Sequence, residues 1–169
     1  MSTKNEVDNL IDAITQDLKD LLALRKLDNP IMIGIHTGGV WVAEKLHQRL
    51  GIKQALGTLD ISFYRDDFTR IGMNPQVRPS SLPFSIDDQH VILVDDVLHT
   101  GRTIRAAMNE LFDYGRPASI SLVTLVERSG RELPIAASVV GKQLDLANNQ
   151  HVKLTGPEPL ELVIQEVNE

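Results

Sequence analysis

The chain has 169 residues, 42% of them hydrophobic, with 23 Asp and Glu against 17 Lys and Arg for a formal charge of −6, and no cysteine. Length and composition suit one globular domain and exclude disorder as the default; the missing thiols exclude disulfides and thiolate metal sites, and make a reducing cytoplasm the simplest compartment. The acidic balance speaks against non-specific nucleic-acid binding, which needs a basic face, although a local basic patch stays open.

The charged N-terminal stretch reads as neither a signal peptide nor a membrane span, and no apolar run reaches the roughly 20 residues a spanning helix needs. Over residues 7–24, Leu10, Ile11, Ile14, Leu18, Leu21 and Leu22 recur at a helical period with acids opposite, so the spacing predicts a packing helix, ended by Asn29-Pro30. Residues 31–35 read as a buried strand, His36-Thr37-Gly38-Gly39 as the loop after it, and 40–50 as a second helix closed at Gly51. Residues 57–64 read as another strand. From 65 to 85 the chain has three prolines, mixed charge and no period. That predicts a long loop or flexible arm, either a functional lid or a plain surface excursion.

Order resumes with a strand over 90–95, a helix over 102–114 ended by Gly115-Arg116-Pro117, and a strand over 119–126. Beyond Arg131 come shorter apolar runs at 135–140, 151–154 and 160–164. Strand and helix alternate from 31 to 126, which predicts an α/β fold on a parallel sheet.

The chemistry concentrates where the apolar strand Val91-Ile92-Leu93-Val94 runs into Asp95-Asp96. Open α/β sheets bind ligands beyond the carboxyl ends of their strands. Two carboxylates there are costly unless they meet a cation or hydroxyl donors, and a ribose offers two vicinal hydroxyls. After Val97 and Leu98, the run His99-Thr100-Gly101-Arg102-Thr103 opens a helix. Gly101 permits a tight turn, and the helix amides with the hydroxyls of Thr100 and Thr103 favour a phosphate. Arg102 either pairs with that phosphate or points to solvent. The combination matches a sugar 5-phosphate and differs from a nucleotide P-loop, whose GxxxxGK[ST] spacing is absent. An N-capped helix after an acidic turn is the plainer alternative, and it fits single residues better than the whole string.

The string VILVDDVLHTGRT resembles the phosphoribosyl-diphosphate (PRPP) signature of type I phosphoribosyltransferases. With YRDD at 64–67, GRP at 115–117 and RELP at 131–134, the chain resembles the PyrR family, pyrimidine operon regulators that also act as uracil phosphoribosyltransferases. The resemblance implies a single phosphoribosyltransferase-type domain over 1–169: a mostly parallel sheet flanked by helices, a flexible arm over about 65–85, and a small hood from the C-terminal segments. It implies uracil and PRPP as substrates, UMP and diphosphate as products, and Mg²⁺ carried mainly by PRPP with no protein metal site. Asp95 and Asp96 would hold the ribose hydroxyls, the residues from Thr100 to Thr103 the 5-phosphate, and Arg65 would close over the diphosphate. It further implies a homodimer or homotetramer, and binding of a pyrimidine-operon leader RNA through basic residues including Arg128, Arg131 and Lys142.

Two positions depart from that family. The diphosphate loop of the family reads Thr-Arg-Gly, but here it is Thr37-Gly38-Gly39, which removes a cation worth several kcal/mol at a transferring diphosphate. His36 is either a local substitute or a plain loop residue. His99 stands where the family has Tyr, and either touches the base or merely replaces that ring. Two further readings follow: a nucleotide-sensing regulator with little or no transferase activity, and a transferase for another base.

Overall fold

The computed structural model describes residues 5–61 and 80–167. The elements in chain order are α1 (Glu6–Arg25), β1 (Ile31–Ile35), α2 (Gly38–Leu50), β2 (Gly57–Leu59), β3 (His90–Leu98), α3 (Arg102–Tyr114), β4 (Ser119–Arg128), β5 (Val139–Leu144), β6 (Gln150–Thr155) and β7 (Glu161–Glu166). Five strands form one sheet in the order β2-β1-β3-β4-β5, every pair parallel, and β6 and β7 form a separate antiparallel hairpin. This is the expected α/β architecture, with strand order reversing between β1 and β3, as in doubly wound folds.

Alternation along the strands explains why both faces are covered. Met32, Ile92, Val94, Val123 and Leu125 point to the side taken by α1 and α2, where Ile11, Ile14, Leu18, Val42 and Leu46 meet them. Ile31, Ile33, Ile35, Val91 and Leu93 point to the other side, where Ile104, Ala107 and Leu111 of α3 cover them. Residues one apart thus serve opposite cores, so the central strands are apolar without a break. At the head of α1, Asn5 caps the helix by accepting the Asp8 amide at 2.9 Å.

Several expected boundaries shift. The strand over 90–95 runs on to Leu98 because β4 keeps pairing with it as far as Leu98↔Glu127, so the acidic pair lies inside a strand and not at its end. The helix expected from 40 begins at Gly38. Of the run 135–140 only its end is strand, since β5 spans Val139–Leu144. The strand over 57–64 is described as β2 at Gly57–Leu59, and residues 62–64 lie outside the described residues, as do 65–79 of the arm and, with them, the YRDD motif and Arg65. The described end of that arm is packed: Ser81 and Thr58 exchange two backbone hydrogen bonds of 2.8 and 2.9 Å, and Leu82 and Phe84 lie against the α3-side core. No helix among the described residues is long and apolar enough to cross a membrane.

Leu46 is fully buried in the core between α2 and the sheet. Leu46→Ala should cost about 2–5 kcal/mol of unfolding free energy, measured as a lower urea midpoint at unchanged slope.

Candidate functional site

A cleft of about 580 Å³ opens beyond the carboxyl ends of β1 and β3, at the point where strand order reverses. Thr37 and Gly38 come from the loop after β1, the unbroken run from Asp95 to Ile104 from β3 and the head of α3, and Val152, Lys153 and Leu154 from β6; Trp41 of α2 completes the lining. The structure therefore brings together the two loops singled out in the sequence. His36 is not among the lining residues; its amide donates to the carbonyl of Leu59 at 2.9 Å.

The acidic pair is held by its own backbone. Asp95 is 2% exposed, and its Oδ1 accepts the Asp96 amide at 2.8 Å. Asp96 is half-buried, and its Oδ1 accepts the Val97 amide at 2.9 Å. Against these carboxylates sits the start of α2. A Cβ on Gly38 would lie 2.2 Å from Asp96 Oδ2, and one on Gly39 would lie 2.6 Å from the carbonyl oxygen of Val94. Gly39 is tied to glycine by the backbone it meets, whereas at Gly38 the obstacle is the Asp96 side chain. A side chain at position 38 and the present pose of Asp96 exclude each other, which gives the physical sense of the missing arginine.

The opposite end of the cleft is formed by the loop that opens α3. Gly101 has φ 97°, a conformation that strains other residues, and α3 starts directly after it. Thr100 Oγ1 accepts the Arg102 amide at 3.1 Å, while neither Thr37 nor Gly101 caps its helix with a side chain. Two helix starts, with their unpaired amides and positive dipole ends, thus border the same cavity. Arg102 is half exposed, and its Nε pairs with Glu132 Oε1 at 3.1 Å.

Sequence reasoning missed what braces this loop. The connection from β4 to β5 carries RELP, and the amides of Glu132 and Leu133 donate to the Thr100 carbonyl at 2.9 and 3.0 Å. Arg131 donates from Nη1 to the His99 carbonyl, from Nη2 to the Glu127 carboxylate and from Nε to the Ile135 carbonyl at 2.9 Å. The basic residues expected to grip RNA are all internally committed. Arg128, 6% exposed, donates to the carbonyls of Ser129 at 3.1 Å and Gln150 at 2.6 Å, and Lys142 pairs with Glu6 at 2.6 Å. A Gly-Arg-Glu-Leu-Pro string after a strand was the available signal, since turn residues beside a long cation often mark a buttressed loop.

His99 lies under the same connection, with Nε2 2.8 Å from where a Cβ on Gly130 would stand. Burial pushes its pKa below the ordinary value of 6.5, and Arg128, His151 and Arg131 push the same way against a smaller opposing pull from Glu132. The neutral ring is therefore the favoured form at pH 7.

A phosphoribosyl transferase domain model matches residues 6–157. The bifunctional protein PyrR of Nitrosococcus oceani is 60% identical over 164 residues, 96% of this chain and 93% of that protein. PyrR of Pseudomonas paraeruginosa is 59% identical over 162 residues, 96% of this chain and 95% of that protein. The chain belongs to the PyrR family of phosphoribosyltransferases. PyrR membership accounts for the cleft at the switch point, and makes the chain a member of a transferase family. Among solved structures, hypoxanthine phosphoribosyl transferase of Trypanosoma cruzi superposes with a TM-score of 0.66 at 25% identity, over 84% of this PyrR chain and 75% of that one. The purine phosphoribosyltransferase of Pyrococcus horikoshii shares the fold, with a TM-score of 0.63 at 23% identity over 86% and 89%.

Two outcomes follow for this brace. Arg131→Ala should cost roughly 1–3 kcal/mol and speed hydrogen exchange at residues 99–103 while leaving α1 unchanged; Arg131→Lys should recover only part, since a point ammonium cannot serve three fixed acceptors. For His99, a folded pKa below the unfolded one means that the unfolded chain binds more protons, so stability falls as pH drops below about 6.5. Thermal melts at pH 5 and 7.5 should show a larger acid loss for wild type than for His99→Gln.

Proposed function

We propose that this PyrR chain is a Mg²⁺-dependent uracil phosphoribosyltransferase that makes UMP and diphosphate from uracil and PRPP, and that it also serves as a UMP-responsive, RNA-binding regulator of pyrimidine biosynthesis genes. The observation that carries the enzymatic part is the convergence of Asp95 and Asp96 with the head of α3 in one cleft. Uracil rests on membership of the family, as does the regulatory role.

In this reading the amides and hydroxyls from Thr100 to Thr103 take the 5-phosphate. Asp96, whose Oδ2 stands beside Gly38, accepts from the ribose hydroxyls, and Asp95 fixes the Asp96 backbone from below. The β6–β7 hairpin acts as the hood over the base, and the arm containing Arg65 closes the site. The bond from ribose C1 to the diphosphate oxygen breaks as the bond to uracil N1 forms, and the N1 proton leaves. Positioning, exclusion of water and stabilisation of developing charge supply the catalysis. The donor set suits a hard cation: Asp95 and Asp96 are the acids that line the cleft, and both offer oxygen ligands. Mg²⁺ would take diphosphate and ribose oxygens and water, with Asp95 and Asp96 as its protein neighbours, and would neutralise the leaving diphosphate.

Turnover of labelled uracil to UMP with PRPP and Mg²⁺ tests the reading directly. Asp96→Asn should lower kcat/KM about 10- to 100-fold, the loss of a charge-assisted hydrogen bond of roughly 1.5–3 kcal/mol. Absence of uracil turnover by a wild-type chain that binds PRPP would remove the enzymatic half. Gel shifts of a pyrimidine-operon leader RNA with and without UMP test the regulatory half, and no UMP-stimulated shift at low salt would remove it.

A further inference from the structure

The cleft lacks a cation on the side where its loop has Gly38. Among the described residues lining it, Arg102 and Lys153 bear a permanent positive charge, against the two carboxylates of Asp95 and Asp96. Arg102 is engaged by Glu132 at 3.1 Å. Position 38 cannot take a side chain while Asp96 holds its pose, because any Cβ there would stand 2.2 Å from Asp96 Oδ2. A highly anionic substrate entering between two carboxylates needs a charge of opposite sign, and here the β1 loop does not provide it.

Lys153 meets that need. It sits in the middle of β6, paired in register with Val163, between Val152 and the buried Leu154 that fasten the strand to the α1–α2 core. Strand alternation turns Lys153 away from that core, and it is exposed where it lines the cleft. Among the described residues its ammonium has neither an ion pair nor a hydrogen bond. A flexible lysine with three donors, on an otherwise fixed strand, can follow a group that changes position as it leaves.

We infer that Lys153 binds the diphosphate of PRPP, supplying from the hairpin side the charge that the Thr37-Gly38-Gly39 loop does not carry. This rests on the phosphoribosyltransferase reading above, and it adds a catalytic residue that the signature motifs do not contain. It also turns the hairpin from a passive cover into a wall that recognises substrate.

The test is binding, read from the fluorescence of Trp41, the single tryptophan, which lines the same cleft. Wild type, Lys153→Met and Lys153→Arg are titrated with PRPP, inorganic diphosphate and ribose 5-phosphate in the presence of Mg²⁺. Lys153→Met should weaken PRPP and diphosphate by about tenfold or more and leave ribose 5-phosphate, which lacks the diphosphate, unchanged; Lys153→Arg should restore most of the loss. Because Lys153 is exposed, the variants keep the fold. Unchanged PRPP affinity in Lys153→Met, or an equal loss for ribose 5-phosphate, overturns the inference. If wild type binds neither PRPP nor ribose 5-phosphate, the phosphoribosyltransferase reading itself fails and this inference with it.

Discussion

The site depends on one close contact: the start of α2 pressed against the acidic pair inside β3. A carboxylate next to a buried strand is stable only when its oxygens have partners. Asp95 and Asp96 find them in the amides of their own next residues, at 2.8 and 2.9 Å, and that arrangement leaves Asp96 Oδ2 leaning on α2. Gly39 lets the helix come so near, because a Cβ there would meet the backbone of Val94 and Asp95. The closeness sets where the helix dipole and the amides at 38–40 point, and with them the shape of the cavity between β1 and β3. One geometric demand therefore fixes the packing of α2, the pose of the acid and the absence of a cation at position 38.

The second constraint falls on the loop before α3, which is held rigidly although it lies outside the sheet. Gly101 gives the turn its shape but adds conformational freedom to the unfolded chain. That cost is offset from outside, by the connection after β4, which supplies two amides to the Thr100 carbonyl and a guanidinium to the His99 carbonyl. The ionic partner of Arg131 is Glu127, on the same strand end, so the guanidinium is oriented before it reaches the loop. The loop is thus held in place by a neighbouring connection in addition to its own Thr100–Arg102 hydrogen bond.

The parallel sheet was legible because its strands are buried on both faces and read as unbroken apolar runs, and the turn into α3 because glycine, hydroxyls and a helix start occur at fixed offsets. The end of β3 was not legible. Asp95 and Asp96 look like a strand terminus by polarity, yet pairing with β4 carries the strand on to Leu98, so ladder hydrogen bonds override local composition. The partners of the basic residues were not legible for a related reason. Arg128 and Arg131 look like surface charge in one dimension, but their partners lie as far away as Gln150 and His99, and only the folded chain puts those carbonyls within reach. Lys153 had no sequence signal at all. A lone lysine in an alternating strand is ordinarily a solvated face, and its place in the cleft comes from where the hairpin docks.

That docking links the two ends of the site. Arg128 donates to the carbonyl of Gln150 at the root of β6, and three residues on Arg131 holds the His99 carbonyl at the root of the anion loop. Both ties leave from the same end of β4. Trp41 lies against Gly156 at the far end of β6, where a Cβ would be 3.3 Å from the indole, so the hairpin is pinned to α2 as well. A wall fastened at its root to β4 and at its tip to α2 keeps a fixed distance from both the acidic pair and the phosphate loop. A charge placed midway along that wall stays in register with the rest of the site, while its four-carbon stem supplies the motion that a departing group requires.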